Sequence, residues 1–98
     1  MKDNARTDAP TGATIAAVLK EIGLLLELQG GEPFRAGAYA RAARAVAAMP
    51  QDLTTLVEQR RLTGINGVGR GLASQIEEIY ATGKSPLLEQ LRAELPPG

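Results

Sequence analysis

The stretch GINGVGRGLASQIEEI, residues 64–79, determines how the rest of this 98-residue sequence is interpreted. Gly67, Gly69 and Gly71 alternate with Val68 and Arg70, and apolar residues at helical spacing follow them. This pattern predicts a tight turn that opens into a helix. Such a turn is typical of an anion site, because free backbone N–H groups and the dipole of a helix N-terminus both favour negative charge.

Two common phosphate-binding loops do not fit this stretch. A dinucleotide fingerprint needs G-x-G-x-x-G after a strand, but the three glycines give G-x-G-x-G and the preceding LVEQRRLTGI (56–65) has helical character. A P-loop needs lysine followed by serine or threonine, which this stretch lacks. The remaining interpretation is two helices joined by a glycine hairpin, the helix-hairpin-helix pattern of sequence-independent DNA binding. A plain tight corner between helices is the alternative.

The residue types explain how such a hairpin would hold a phosphate. Gly67 and Gly69 permit backbone angles that a side chain would forbid, and Val68 between them can reach the core and hold the hairpin closed. Arg70 lies in the first helical turn, beside the predicted anion site. Contacts of this kind go to the nucleic-acid backbone and carry no base information, so binding is predicted to be salt-sensitive and indifferent to sequence.

Outward from the hairpin, apolar periodicity predicts an all-α bundle of four or five short helices and no strand. Residues 1–13 are expected to be a flexible N-terminus and 14–98 a single domain. Helices are predicted at about residues 14–29, 33–49, 51–61, 70–82 and from 86 onward, with ends marked by Thr11 or Thr14, Gly30, Gly31, Pro33, Pro50, Gly83, Ser85, Pro86 and the final LPPG. The predicted inward positions are Ile15, Val18, Leu19, Ile22, Leu25, Leu26, Phe34, Ala38, Ala42, Val46, Met49, Leu53, Leu56, Val57, Leu72, Ala73, Ile76, Ile79, Tyr80, Leu88, Leu91 and Leu95.

Four apolar residues of this scheme receive separate interpretations. Phe34 and Tyr80 are interpreted as core residues rather than as platforms for base stacking. Leu24 and Leu28 lie off the main stripe of the first helix, so they either face the fifth helix or form part of a partner interface.

The composition removes several classes of chemistry. The chain has no cysteine and no histidine, which excludes disulfides, thiol catalysis and the most frequent general base and metal ligand. No apolar run approaches the ~18 residues of a membrane span, and the polar first residues do not resemble a signal peptide. A cytoplasmic protein without an organic cofactor or a membrane partner is therefore expected.

The formal net charge is zero, but the charges are unevenly distributed. Residues 33–73 carry six arginines against Asp52 and Glu58, whereas the segments before and after are both net acidic. The hairpin lies inside this basic centre, which favours an anion there. The alternative is that the arginines are solvated residues on unrelated faces. The six are Arg35, Arg41, Arg44, Arg60, Arg61 and Arg70.

Two pairs of these arginines receive different interpretations. Arg41 and Arg44, on the polar face of the second helix, are favoured as contacts to the DNA backbone. Arg60 and Arg61 are interpreted as closing the third helix, where cations suit the dipole.

Three blocks of the sequence resemble a known family. FRAGAYARAARAVAAMPQDLTTL (34–56), RLTGINGVGRGLASQIEEIYATGK (61–84) and LLEQLRAELPPG (87–98) are similar, in order and spacing, to the N-terminal domain of family X DNA polymerases, the bacterial members above all. The similarity covers about residues 14–98. It implies a small helical domain that grips the downstream 5′-phosphate side of gapped or nicked DNA in base excision or gap repair.

The resemblance also implies particular site residues. The main-chain carbonyls of Thr63, Ile65 and Val68 match those that hold a monovalent cation, Na⁺ or K⁺, in the family's hairpin. Arg35 and Tyr39 match a pocket for the 5′-phosphate and share one helix face because they are four residues apart. Lys84 matches a recurrent basic position. The complete set predicted to bind DNA is Gly67, Gly69, Arg70, Gly71, Arg35, Tyr39, Arg41 and Lys84.

The sequence differs from the family at the positions of the catalytic residues. Lyase members carry a helix lysine that forms a Schiff base with an abasic site, and Gln75 stands at that position. Gly71 replaces another frequent lysine, so Lys84 is the only substitute nucleophile considered. The aspartates Asp3, Asp8 and Asp52 are too scattered for the two-metal carboxylate site of a polymerase, which in the family belongs to a later domain.

The sequence therefore predicts a DNA-binding module that is not an enzyme by itself, at the front of a family X polymerase. One alternative is residual abasic-site (5′-deoxyribose phosphate) lyase activity. Another is a helical protein–protein interaction domain, which zero net charge and the missing lysine would suit. Whether the chain is a fragment or free-standing, and its oligomeric state, are left open.

Overall fold

The computed structural model describes residues 11–30, 33–49 and 53–95. Within these ranges the backbone forms α-helices and one 3-10 turn but no strand, so the predicted all-α class is confirmed. None of the helices there is long and apolar enough to cross a membrane. The elements are α1 (Gly12–Gln29), α2 (Pro33–Ala47), α3 (Leu53–Glu58), the 3-10 turn (Leu62–Gly64), α4 (Arg70–Thr82) and α5 (Pro86–Ala93).

Local caps fix most of the helix ends where the sequence predicts them. The Thr11 hydroxyl accepts a hydrogen bond of 3.1 Å from the Thr14 N–H, so α1 begins two residues earlier than predicted. Gly30 and Gly83 end α1 and α4 in the left-handed conformation, with φ of 72° and 76°. Ser85 caps α5 by accepting from the Leu88 N–H at 3.1 Å.

The most extensive packing in the fold lies between α1 and α2. A Cβ added at Gly23 would lie 3.1 Å from the carbonyl oxygen of Ala36 and 3.4 Å from the backbone nitrogen of Ala40. The two helix backbones therefore approach each other directly, which only small residues at the contact permit. α5 then packs on α1, and Arg92 joins Glu21 across this contact at 2.7 Å.

The core lies where α1, α2 and α4 meet the short α3 and the 3-10 turn. Almost every predicted inward position of α1, α4 and α5 is buried or half-buried. The largest fully buried side chains are Ile15, Leu19, Ile22, Val46, Leu53, Leu62, Ile76 and Ile79.

The predicted inward face of α2 is wrong at Phe34, whose side chain is 91% exposed. Ala36, Tyr39 and Ala43 are buried instead. Phe34 lies two residues before Ala36, which is about 200° around a helix of 3.6 residues per turn. The reason is that the close approach at Gly23 turns the face carrying Ala36 inward.

Other predictions need smaller corrections. α3 ends at Glu58 rather than near residue 61, because Arg60 has φ of 57° and cannot continue the helix. Leu95, predicted inward, follows the end of α5 and is 40% exposed. Tyr80 is only half-buried, and its hydroxyl donates to Thr54 at 3.3 Å. The predictions that lie outside the described residues concern the first ten residues, Gly31, Pro50, Gln51, Asp52 and the terminal PPG.

Candidate nucleic-acid interface

The hairpin between α3 and α4 is a series of tight backbone turns closed by two apolar anchors. The N–H of Arg61 donates to the Leu56 carbonyl at 2.9 Å, and the N–H of Val68 donates to the Ile65 carbonyl at 3.0 Å. Ile65 and Val68 are 5% and 4% exposed, so both side chains reach the core. Gly67 between them has φ of 97°, a conformation that favours glycine. The predicted role of Val68 as the anchor of the hairpin is confirmed.

The start of α4 presents unpaired donors at the surface. Gly69 is the N-cap residue and supplies no side-chain cap. Among the described residues, no group accepts a hydrogen bond from the backbone N–H of Arg70, Gly71 or Leu72. A Cβ added at Gly69 or Gly71 would meet nothing within 4 Å, so this part of the backbone faces open space. The arrangement suits an anion, since the donors and the helix dipole point the same way.

Two arginines from different helices lie at or next to the hairpin. Arg70 is exposed in the first turn of α4. The Cβ of Arg41 of α2 is 4.0 Å from the position that a Cβ on Gly67 would occupy, whereas its guanidinium nitrogen Nη1 is 3.4 Å from the position of a Cβ on Gly37. Arg44, one turn further along α2, instead lines a groove between α1 and α2. Arg41 and Arg44, which received the same interpretation from the sequence, therefore lie at different features of the fold.

Arg35 and Tyr39 lie together on α2, as their spacing predicts. Tyr39 is only 5% exposed and belongs to the core, whereas Arg35 is exposed. Burial raises the pKa of the Tyr39 hydroxyl, and the neighbouring Arg35 guanidinium opposes part of that rise. The Arg35 guanidinium therefore lies near the Tyr39 hydroxyl, and contact of either residue with a phosphate stays a prediction.

The two positions relevant to lyase chemistry are not equivalent in the fold. Gln75 is half-buried on α4, and its Oε1 is enclosed without a hydrogen-bond donor among the described residues. Lys84 is exposed after the end of α4, where its backbone N–H donates to the Thr82 hydroxyl at 3.1 Å. In the described ranges, no hydrogen bond or salt bridge joins the Lys84 side chain to the hairpin.

The carbonyls predicted to hold a cation are compatible with that role. Those of Thr63 and Val68 accept no hydrogen bond from the described residues, and that of Ile65 accepts only one, from Val68. A carbonyl oxygen has two lone pairs, so all three keep capacity for a cation. Neutral carbonyl oxygens are the ligands that select monovalent ions in proteins. No group of three acidic residues that could hold a metal occurs in the part of the chain described.

Phe34, interpreted from the sequence as a core residue rather than a base-stacking platform, is a candidate contact. It is exposed at the start of α2, one residue before Arg35. The exposure of Phe34 could have been inferred from Tyr39, five residues later in the same helix. Five residues correspond to a rotation of about 140° around a helix, so if Tyr39 is buried, Phe34 lies on a different face. Exposed aromatic rings next to basic residues are suited to stacking on unpaired bases.

These features define an all-α domain in which a glycine hairpin precedes an uncapped helix N-terminus, with Arg70 in the first turn of that helix. The model of the helix-hairpin-helix domain family matches residues 11–85, and the chain belongs to this family. It is also 38% identical over 84 residues to the DNA polymerase/3′-5′ exonuclease PolX of Bacillus subtilis (strain 168), which confirms the resemblance to family X polymerases. The match covers 86% of this chain and 14% of that protein, so the chain spans about a seventh of its relative.

Proposed function

We propose that this chain is a DNA-binding domain of a family X DNA polymerase, and that it holds the sugar-phosphate backbone without reading sequence. The observation that carries the proposal is the uncapped start of α4, where no described group accepts a hydrogen bond from the N–H of Arg70, Gly71 or Leu72 and the backbone at Gly69 and Gly71 borders open space. A phosphate oxygen is a suitable acceptor for such donors. Membership of the helix-hairpin-helix family and similarity to a DNA polymerase support the same interpretation.

Local charge supports the proposal despite the neutral total. Arg70 begins α4, the Cβ of Arg41 lies next to Gly67, and Arg60 and Arg61 are exposed where the chain enters the hairpin. Of the acidic residues in the described ranges, Glu58 alone lies within 33–73. Residues 33–73, which include the hairpin, are thus net positive, and attraction to DNA depends on this local charge rather than on the net charge of the chain.

The finer part of the proposal concerns the structure of the DNA. We propose that the domain prefers gapped or nicked DNA and holds its 5′-phosphate with Arg35, supported by Tyr39, while Lys84 adds charge at the edge. The exposed ring of Phe34 would stack on a base left unpaired at the gap. We also propose a place in base excision or gap repair and a cytoplasmic location.

The hairpin is also proposed to hold Na⁺ or K⁺ through the carbonyls of Thr63, Ile65 and Val68. When bound, the ion would supply a positive charge between the hairpin backbone and a phosphate oxygen. Replacing K⁺ or Na⁺ by tetramethylammonium at equal ionic strength is therefore expected to weaken DNA binding, because that cation is too large for a carbonyl site. Equal affinity in the two salts would contradict the cation proposal and leave the N–H site unaffected.

Fluorescence anisotropy with a labelled gapped duplex tests the function. We expect the chain to bind it, to bind more weakly when the downstream 5′-phosphate is removed, and to show no preference between unrelated sequences. Arg41→Gln is expected to lower the affinity about fivefold to tenfold, which corresponds to the loss of one charge-assisted contact. Arg44→Gln is the matched control on the same helix, and it should leave the affinity unchanged.

Two outcomes would count against the proposal. Absence of binding at low salt would leave a helical interaction domain in place of a DNA-binding one. Equal loss in Arg41→Gln and Arg44→Gln would show that binding depends on net charge and not on the hairpin.

A further inference from the structure

The helix α3 ends in a Schellman motif whose left-handed residue is Arg60. The N–H of Arg60 donates to the Val57 carbonyl at 3.1 Å, and the N–H of Arg61 donates to the Leu56 carbonyl at 2.9 Å. These two hydrogen bonds define the motif, and they need a residue with positive φ after the helix, which here is Arg60 at 57°. Glycine is usual at that position, because a Cβ is disfavoured in the left-handed region.

The same chain uses glycine where two other helices end in this conformation. Gly30 after α1 has φ of 72°, and Gly83 after α4 has φ of 76°. At Arg60, by contrast, a long side chain occupies a backbone conformation that glycine would adopt at lower cost. Residues held in such conformations are concentrated at functional sites, so the side chain of Arg60 is the feature to explain.

Contacts within the fold do not explain an arginine at this position. Arg60 is exposed, and no salt bridge joins its guanidinium to another described residue, Glu58 of the same helix included. The side chain that lines the cleft beside Leu56 is that of Arg61, which thus makes the contact usual for the residue after the left-handed one. Arg61 also supplies a cation at the end of α3 from an unstrained backbone, with φ of −116°.

The position of Arg60 in the chain connects it with the candidate DNA site. The 3-10 turn that begins two residues later packs against both α3 and α4. Arg60 therefore lies where the chain enters the hairpin, and Arg70 lies where the chain leaves it. The ligand whose charge suits an exposed guanidinium at this place is the anion already proposed for the start of α4, a backbone phosphate.

We propose that Arg60 is a further DNA-binding residue, that it binds a phosphate of the strand held at the start of α4, and that the chain retains it at a cost in stability. This role rests on the proposed function, because it adds a contact to the same site. A guanidinium suits the role, since it is always charged and can donate two parallel hydrogen bonds to a phosphate. Glycine at position 60 would end α3 equally well but would lack this contact.

Two neutral variants of the whole chain separate the effect of the charge from that of the backbone. Arg60→Gly removes the guanidinium and the Cβ, whereas Arg60→Gln removes the charge and keeps a side chain. In anisotropy titrations with the gapped duplex, both should bind about fivefold to tenfold more weakly than the wild type at low salt. This difference should shrink as the salt concentration rises, because screening weakens the contact in the wild type.

Urea denaturation of the same variants measures the conformational cost. The urea midpoint of Arg60→Gly should be higher than that of the wild type and that of Arg60→Gln, because glycine adopts the left-handed conformation without a Cβ. A residue with a purely structural role would not lose DNA affinity while the fold becomes more stable.

Two controls accompany these variants. Arg60→Lys keeps the charge and should recover most of the wild-type affinity. Arg44→Gln removes the same charge from the groove between α1 and α2 and should bind as the wild type does. An equal loss in Arg44→Gln would overturn the proposal, because the effect would then come from the net charge of the chain.

The remaining outcomes distinguish this proposal from the proposed function. Wild-type affinity in both neutral Arg60 variants, with binding still weakened by Arg41→Gln, would overturn the role of Arg60 alone. A lower urea midpoint for Arg60→Gly than for Arg60→Gln would overturn the conformational cost. A wild-type chain that binds no DNA at low salt would overturn the role of Arg60 together with the proposed function.

Discussion

At the scale of single residues, the candidate DNA site depends on backbone conformation more than on side chains. Gly67 at φ of 97° turns the chain between the anchors Ile65 and Val68, and this turn directs the start of α4 outward. Arg60 has φ of 57°, the one positive value at a non-glycine position in the described ranges. Arg60 follows the end of α3, a position at which glycine is more common, and its left-handed conformation turns the chain into the hairpin.

Gly67→Ala is expected to destabilise the domain by about 1–2 kcal/mol, because a Cβ is disfavoured in the left-handed region. Gly71→Ala is the matched control in the same segment. Its Cβ would meet nothing within 4 Å, and alanine in a helix is expected to raise stability by roughly 0.5–1 kcal/mol. Urea denaturation followed by circular dichroism measures both. Equal effects of the two changes would show that the turn at Gly67 carries no conformational strain.

The isolated chain is expected to form no Schiff base with abasic DNA, because an amide stands at Gln75 and Lys84 is exposed. Gln75→Lys should create the activity, since partial burial lowers the pKa of a lysine. Borohydride trapping measures the covalent adduct. A wild-type adduct that disappears in Lys84→Ala would instead establish residual lyase activity.

At the scale of elements, the contact between α1 and α2 determines which side chains face the core. Gly23 lets the backbones meet near Ala36, and this sets the rotation of α2 about its axis. As a result Tyr39 is buried, Phe34 is exposed, and the Cβ of Arg41 lies next to the hairpin residue Gly67. The functional surface of α2 therefore follows from a contact on another side of the helix.

Gly23→Val is expected to destabilise the domain by about 1–3 kcal/mol, the usual cost of overpacking. Its Cβ would lie 3.1 Å from the Ala36 carbonyl oxygen, which belongs to a helix backbone and cannot yield as a side chain can. Gly37→Ala is the control on α2, because its Cβ would meet only the flexible Arg41 guanidinium at 3.4 Å. Chemical denaturation compares the two. An unaffected Gly23→Val variant would show that α1 and α2 can separate freely.

The ion pair between α1 and α5 contributes to the stability of the fold by an amount that depends on pH. Arg92 donates hydrogen bonds of 2.7 and 2.8 Å to Glu21 and holds the pKa of that carboxyl below its usual value. Because the pKa of Glu21 is lower in the folded state than in the unfolded state, its charge stabilises the fold above the unfolded-state pKa. This stabilisation is lost as the pH falls through the folded-state pKa. Both side chains are well exposed, so the effect is small.

Urea midpoints of the wild type and of Glu21→Gln, measured between about pH 7 and pH 3, test this contribution. The wild type should be the more stable at neutral pH, and the difference should vanish in acid. A difference that stays constant over this range would show that the Glu21 charge does not contribute.

At the scale of the whole molecule, the net charge is zero, but the positive and negative side chains lie mainly on different helices. The glutamates that the structure describes lie mainly on α1, α4 and α5, whereas arginines dominate α2 and the hairpin. Binding of a polyanion to such a molecule depends on orientation. The release of counterions from the contacted phosphates then makes the affinity depend on salt.

The slope of log K against log salt concentration is expected to be about −2 to −3. This corresponds to two or three phosphates at the N–H groups of α4, Arg41 and Arg70. Anisotropy titrations at several salt concentrations measure this slope, and Arg41→Gln should reduce its magnitude by about one. A slope near zero would contradict contacts to the phosphate backbone.

Much of the fold and part of the site can be predicted from the sequence, because the signals are local. Thr11, Gly30, Gly83 and Ser85 fix helix ends through bonds within a few residues. The glycines around Val68 predict the hairpin for the same reason, and the bounds of α4 agree with the prediction. The likeness to family X polymerases follows from the same blocks of sequence.

Only the tertiary structure decides which face of α2 is buried and which arginine meets the hairpin. Arg41 and Arg44 are equivalent in sequence, since both are arginines among alanines on one helix. Alanine-rich helices have weak amphipathic patterns, so the periodicity does not fix the rotation of α2 and wrongly places Phe34 inside. That rotation depends on the close contact at Gly23, which joins residues from two helices and is set by packing rather than by local sequence.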